Sequence, residues 1–216
     1  MRNQHATQPT PNWEGSDVSH ADQPIAGFLD DLAAGSVTPG GGGGAALGGA
    51  TGAALGEMVC ANTLGGDVDD EVASALESTR DDLADARGRL LDLIDEDAEA
   101  VETMMDAYRD GEEAAIQDSL QGATVAPLAI AEASRDVLEG VAVATELGNP
   151  NAVPDGFIGA HLARGAMAAA VYTVRINLPH VEDEAFVSAT AAQAEEIERA
   201  GDEAFERARA NAAEAT

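Results

Sequence analysis

Lysine is absent from this 216-residue chain: all eleven basic residues are arginine, against forty Asp and Glu, for a formal net charge of −29. So one-sided a surface lacks the basic patch that nucleic acid or an anionic membrane requires, which removes both as partners. Cysteine is reduced to Cys60, so there is no disulfide framework and no cysteine-based metal site. Aromatic residues are 3 % of the chain, although 45 % of it is apolar. A core must then be assembled from Ala, Leu, Val and Gly, whose small side chains fill space only where backbones come close. That favours tightly packed helices over sheets, which prefer β-branched and aromatic residues.

The acidic excess would repel itself in dilute buffer and weaken the compact state. At molar salt the Debye length falls to roughly 3 Å and the penalty largely vanishes. The composition therefore reads as a halophilic protein of a high-salt cytoplasm. Residues 1–20 carry Pro9, Pro11 and Trp13 but no apolar run of the kind a secretory signal needs, and read as a flexible tail. Residues 21–216 read as a single domain, long enough to bury its own core.

Hydrophobic spacing predicts an all-α antiparallel bundle of about five to six helices, one of them long and central. Ile25, Phe28, Leu29 and Leu32 share one face of a short first helix, stopped at Gly35. Five consecutive glycines, Gly40 to Gly44, then read as a loop before a second, Gly/Ala-rich helix. In it Gly44, Gly48, Gly52 and Gly56 recur every fourth residue, a bare strip that another helix can approach. The apolar run of residues 45–64 contains Glu57 and Asn62 and reads as a buried helix of a soluble protein, not a membrane span. Residues 72–108 contain no proline and predict the long helix. A fourth helix spans residues 112–147, with Pro127 expected to kink or break it. Pro154-Asp155 opens a fifth that ends before Pro179, and a charged sixth follows from about Val181.

The long helix holds the sharpest signal. Leu76, Leu83, Leu90, Asp97 and Met104 form a seven-residue series flanked by Ile94, Val101 and Tyr108, so the stripe should face a core. Asp97 therefore occupies a leucine position. A carboxylate there must be hydrogen-bonded, paired or raised in pKa, and it reads either as a buried bond to another helix or as a general acid/base. Asp95, Glu96 and Glu99 fall off the stripe and read as solvated. The glycine run is neither a Walker loop nor a dinucleotide fingerprint, because no strand precedes it. It is either a linker or a helix N-terminus whose bare amides contact a planar or anionic ligand. Asp155 reads as a helix N-cap, and Arg175 and Asn177 as C-terminal capping residues. His5, His20, His161 and His180 are scattered, with no metal-ligand spacing.

Four segments in order resemble the formiminotetrahydrofolate cyclodeaminase / methenyltetrahydrofolate cyclohydrolase family, here as a haloarchaeal-type member. They are Thr38-Pro39-Gly40-Gly41-Gly42 with the helix to Glu57-Met58-Val59, Leu93-Ile94-Asp95-Glu96-Asp97-Ala98-Glu99-Ala100, Ala126-Pro127-Leu128, and a closing region. The last runs from Gly148-Asn149 to Asp155, then through Ile176-Asn177-Leu178 and Asp183-Glu184-Ala185-Phe186. The resemblance covers residues 22–207. It implies an all-α, usually homodimeric enzyme acting on one-carbon tetrahydrofolates, with the folate as substrate, no bound cofactor and no metal. It also implies a catalytic role for Asp97 and a substrate-binding role for Gly40, Gly41, Gly42, Asp155 and Asn177. The expected activity is interconversion of 5,10-methenyl- and 10-formyltetrahydrofolate. Formiminotetrahydrofolate cyclodeamination and a non-catalytic folate-binding or scaffold role are the alternatives. Where the family is usually Lys-rich after the second helix, this chain reads Gly65-Gly66-Asp67-Val68-Asp69-Asp70, so a role of that stretch in holding the folate glutamate tail would be lost or passed to arginines such as Arg164 and Arg175.

Overall fold

A computed structural model describes residues 19–215, so all but Ser19 and His20 of the expected tail lies outside the described residues. A 3-10 turn, His20–Asp22, precedes α1 (Ile25–Ala33), α2 (Gly41–Leu64), α3 (Asp70–Asp110), α4 (Glu113–Leu147) and α5 (Val153–Asn177). A second 3-10 turn, Leu178–His180, leads into α6 (Glu184–Glu214). There is no strand among the described residues, and the expected all-α bundle with one long helix is what forms. With 41 residues, α3 is roughly 60 Å long.

Local chemistry sets the ends. Gly111 stops α3 in the left-handed conformation, at φ 78°, and donates its amide to Ala107 O. Asp183 caps α6 by accepting from the amides of Ala185 and Phe186, so the helix begins at Glu184, three residues after the start expected near Val181. Pro127 does not break α4, which continues through it. The glycine run is only partly a loop: Gly40 is the extended residue before the helix, and Gly41 to Gly44 form the first turn of α2. Among them Gly42 makes a contact that no side chain would permit, since an added methyl would overlap the Asp97 carboxylate oxygens.

Helix α4 is the spine, and α3, α2, α5 and α6 lie around it in that order, each against the next. The α2–α3 seam is a knob-and-hole series in which the holes are glycines. Leu83 lies over Gly56 and Leu90 over Gly49, where an added methyl would come within 2.9 and 3.1 Å of the leucine methyls. Asp97 lies over Gly42 in the same way. Both series step by seven residues and run in opposite directions. The strip expected at every fourth glycine is thus only partly used, since Gly48 faces open space. Gly52 instead meets α5: a methyl on it would lie 2.7 Å from Gly159 O, and one on Gly159 would lie 2.8 Å from Gly52 O.

The stripe on α3 does not stay in the core along its whole length. Leu76, Leu83 and Leu90 are completely enclosed, whereas Met104 is half-buried and Tyr108 is exposed. The physical reason is that α2 begins at Gly41, opposite Asp97, so α3 beyond Asp97 overhangs the bundle on that side.

Replacing Gly52 by valine should force α2 from α5 at a place where the obstacle is backbone. We expect a stability loss of about 1–3 kcal/mol or more, read as a lower denaturant midpoint in molar KCl.

Candidate functional site

Asp97 is 7 % exposed and its carboxylate rests on the Cα face of Gly42, at a spot any larger residue would fill. The Gly43 amide is near enough to favour its charged form. It thus lies in the positive end of the α2 dipole, next to amides that have no intrahelical acceptor. Burial is the larger effect and pushes the Asp97 carboxyl above its ordinary value, with the Gly43 amide opposing it. The leucine register delivers a carboxylate into an apolar seam, and the glycine helix start sets an amide near it.

Several elements hold this corner. Phe28, Ile94 and Pro39 pack around Gly43. The Thr38 hydroxyl donates to Glu102 at 2.9 Å, tying the segment before α2 to α3. Asp95, expected to be solvated, instead anchors the start of the described chain. It accepts the His20 amide at 2.9 Å and pairs with the His20 ring at 2.5 Å. Burial acts to raise the Asp95 carboxyl, but hydrogen bonds from Ser19 and His20 overcome it and leave it below its ordinary value. Glu96 and Glu99 are exposed as expected.

Asn177 is not a capping residue. Its side-chain amide donates to Ala123 O on α4 at 2.8 Å. The cause is Pro127, four residues further on: proline has no N–H, so the Ala123 carbonyl loses its intrahelical donor. Asn177 supplies the replacement, which explains how α4 runs through a proline intact. The two signals, a proline deep in a helix and an asparagine at the end of another, are separately visible in the sequence but not their pairing. Asn177 is at the same end of the bundle as Gly40, Gly41, Gly42 and Asp97.

Asp155 is not with them. It is the exposed third residue of α5, and the residue before that helix is Ala152, so it is not an N-cap. Its neighbour Gly156 packs on Val59 and Thr145. Val59 is seventeen residues along α2 from Gly42, roughly 25 Å away. Arg164 and Arg175 are engaged: Arg164 pairs with Asp202 at 2.8 Å and covers the Phe205 ring, and Arg175 makes a two-pronged pair with Glu198. His161 lies between the Phe157 and Phe205 rings. Among the described residues no group of three or more His, Cys, Asp or Glu is arranged to hold a metal ion.

Together these features define an all-helical bundle protein with one carboxylate buried at a glycine helix start. The profile of the formiminotransferase-cyclodeaminase family matches residues 24–196, and the chain belongs to that family. It is 35 % identical over 171 residues to the methenyltetrahydrofolate cyclohydrolase of Methylorubrum extorquens, covering 75 % of this chain and 82 % of that protein. It is 29 % identical over 185 residues to the formimidoyltransferase-cyclodeaminase of Mus musculus, covering 82 % of this chain but only 34 % of the mouse protein. The crystal structure of formiminotetrahydrofolate cyclodeaminase from Thermotoga maritima superposes with a TM-score of 0.85 at 28 % identity, over 88 % of this chain and 96 % of that one.

The raised Asp97 carboxyl has a consequence for stability. Its folded value lies above the unfolded one, so the native state binds the extra proton between the two, and stability falls as pH rises through that window. Asp97→Asn keeps the shape and removes the charge. We expect it to be at least as stable as wild type at pH 7 in molar KCl. The difference should shrink as pH falls toward the ordinary carboxylate value of 3.8, as followed by denaturant midpoints.

Proposed function

We propose that this protein is a methenyltetrahydrofolate cyclohydrolase, interconverting 5,10-methenyl- and 10-formyltetrahydrofolate, with Asp97 as its acid/base. The observation that carries the reading is a carboxylate enclosed at the α2 N-terminus, where burial makes it a stronger base than a surface aspartate. The family and the likeness to the Methylorubrum extorquens cyclohydrolase support the substrate class.

The methenyl bridge is a cationic amidinium carbon. Water adds to it while Asp97 takes one water proton. The carbon–N5 bond then breaks, Asp97 returns that proton to N5, and the second water proton leaves to solvent as the formyl C=O forms. A buried negative group beside a cationic substrate is unscreened by solvent, which favours binding of the reacting end. Gly40, Gly41 and Gly42 let the ring approach backbone, and Asn177 offers its amide oxygen at the same end. Beyond Asp97 the α3 stripe continues through half-buried Met104 to exposed Tyr108. The protein works as a homodimer in the cytoplasm of a high-salt cell, needs no cofactor besides the folate substrate, and does not act on nucleic acid or membranes.

The cyclodeaminase names among the relatives keep one second reading, in which N10 closes on the formimino carbon and Asp97 protonates the departing ammonia. A single assay series separates these. In molar KCl, wild type should discharge the absorbance of methenyltetrahydrofolate, and Asp97→Asn should lower kcat by about 10²–10⁴-fold. Ammonia release from formiminotetrahydrofolate without methenyl turnover would replace the first reading by the second. Folate binding with neither reaction would make the protein a folate-binding scaffold.

A further inference from the structure

Pro127 of α4 stands level with Asp97 of α3 and Gly42 of α2, and the glycine contacts of the bundle fix those levels. Gly49 lies against Ser134 and Gly56 against Val141, so α2 and α4 run parallel at a constant offset of 85 residues. The same offset sets Gly42 level with Pro127. Helices α3 and α4 are joined by a two-residue turn and run antiparallel, with Leu83 against Gly140. Fourteen residues further along α3, Asp97 comes level with Ala126. Ala123 is one turn beyond, about 6 Å along α4 and past the start of α2 at Gly41. With neighbouring helix axes about 8–10 Å apart, its carbonyl stands about 10 Å from Asp97.

That carbonyl is the one Pro127 deprives of a donor. Ala123 is buried, and the proline ring both withholds an amide from its carbonyl and crowds it. The register of α5 on α4, with Gly156 against Thr145, carries Asn177 to this place. A carbonyl only accepts, so the half of the Asn177 amide that meets it at 2.8 Å is the NH2 group. The other half is fixed by the same bond. Asn177 Oδ1 is turned away from Ala123, accepts no hydrogen bond from any described residue, and is not enclosed. An asparagine free to turn offers either a donor or an acceptor. This one offers an acceptor only.

We propose that Pro127 is a positioning residue for substrate recognition: through the Ala123 carbonyl it holds Asn177 with its oxygen toward the substrate, where it accepts from N–H donors of the aminopyrimidine ring. The inference rests on the folate function proposed above. With the bridge carbon at Asp97, the aminopyrimidine edge is the far end of the fused rings, a separation of the same order as that between Asp97 and the Ala123 carbonyl. That edge carries the 2-amino group and N3–H side by side. An amide turned the other way would set NH2 against NH2, so the orientation imposed by Pro127 is the one that binds. A neutral amide also suits molar salt, because screening weakens contacts between charges and leaves this one intact.

Four variants in molar KCl decide this, each followed by denaturant midpoint, KM and kcat. Asn177→Asp keeps an acceptor but has no N–H for the Ala123 carbonyl, and should lower the midpoint and raise KM about tenfold or more. Pro127→Ala returns an amide to α4. In Pro127→Ala/Asn177→Asp the carbonyl is satisfied by its own helix and the acceptor remains, so midpoint and KM should both return to near wild type. Pro127→Ala/Asn177→Ala should restore the midpoint alone, with KM still raised and kcat changed less than KM, a split that a merely structural tie would not produce. Pro127→Ala by itself should keep the midpoint and raise KM several-fold, since the amide is then free to turn. An unchanged KM in Asn177→Asp or in Pro127→Ala overturns the proposal. So does a wild-type KM in Pro127→Ala/Asn177→Ala, or a Pro127→Ala/Asn177→Asp protein that regains its midpoint but not its KM. If wild type binds methenyltetrahydrofolate without turnover, the functional reading fails by itself, and dissociation constants of the same variants replace KM. If wild type binds no folate, the recognition role of Pro127 and Asn177 falls with that reading.

Discussion

The seam between α2 and α3 is built from bulk on one helix and bare backbone on the other, and the rest of the fold is arranged by that contact. Leu83 and Leu90 each occupy a glycine of α2, and Asp97 occupies the last one, Gly42. Because the series steps by seven on both helices, register is fixed: a slip would drive a leucine onto a position with a side chain. Such a seam brings backbones close enough for a core of small residues to be dense, which a chain with so few aromatics needs. It also means that Asp97 inherits the precision of a packing position. Its carboxylate is held where the leucines are held, against backbone that cannot move aside without disturbing the whole helix pair.

A second contact secures the same end by a different route. Pro127 leaves the Ala123 carbonyl without its helical donor, and Asn177 fills the gap from α5. A local defect in α4 thereby becomes a tie between α4 and α5, within reach of the start of α2. Three helices then meet at this end: α2 by its glycine start, and α4 and α5 by the bond from Asn177 to the Ala123 carbonyl. Past this corner α3 runs on without a neighbour on the α2 side, so apolar Met104 and Tyr108 border an opening instead of a core.

Much of this was legible from residue order. Six helices, the long one among them, follow from spacing and from Gly, Pro and Asp at the ends. Asp97 was visible because a periodic leucine series makes one exception conspicuous. What pattern could not supply was pairing between distant segments. Asp95 looked solvated because only its own helix face was visible, whereas its partner His20 is 75 residues away. Asn177 looked like a cap because Ala123 has no side chain to announce an orphaned carbonyl. The glycine run looked like a loop because glycine's helix propensity is poor, and only the packing of Gly42 and Gly43 shows why those residues are helical. Asp155 was placed at the site by resemblance, and in one chain it is at the far end of the bundle.

Salt separates the two electrostatic problems that so acidic a folate enzyme would face. Repulsion between the protein surface and the carboxylates of a glutamate tail acts across water, and at molar ionic strength it is cut off within roughly 3 Å. Attraction between a buried Asp97 carboxylate and a cationic methenyl bridge would act at short range, where salt screens least. High salt therefore removes the unfavourable long-range interaction and spares the favourable short-range one.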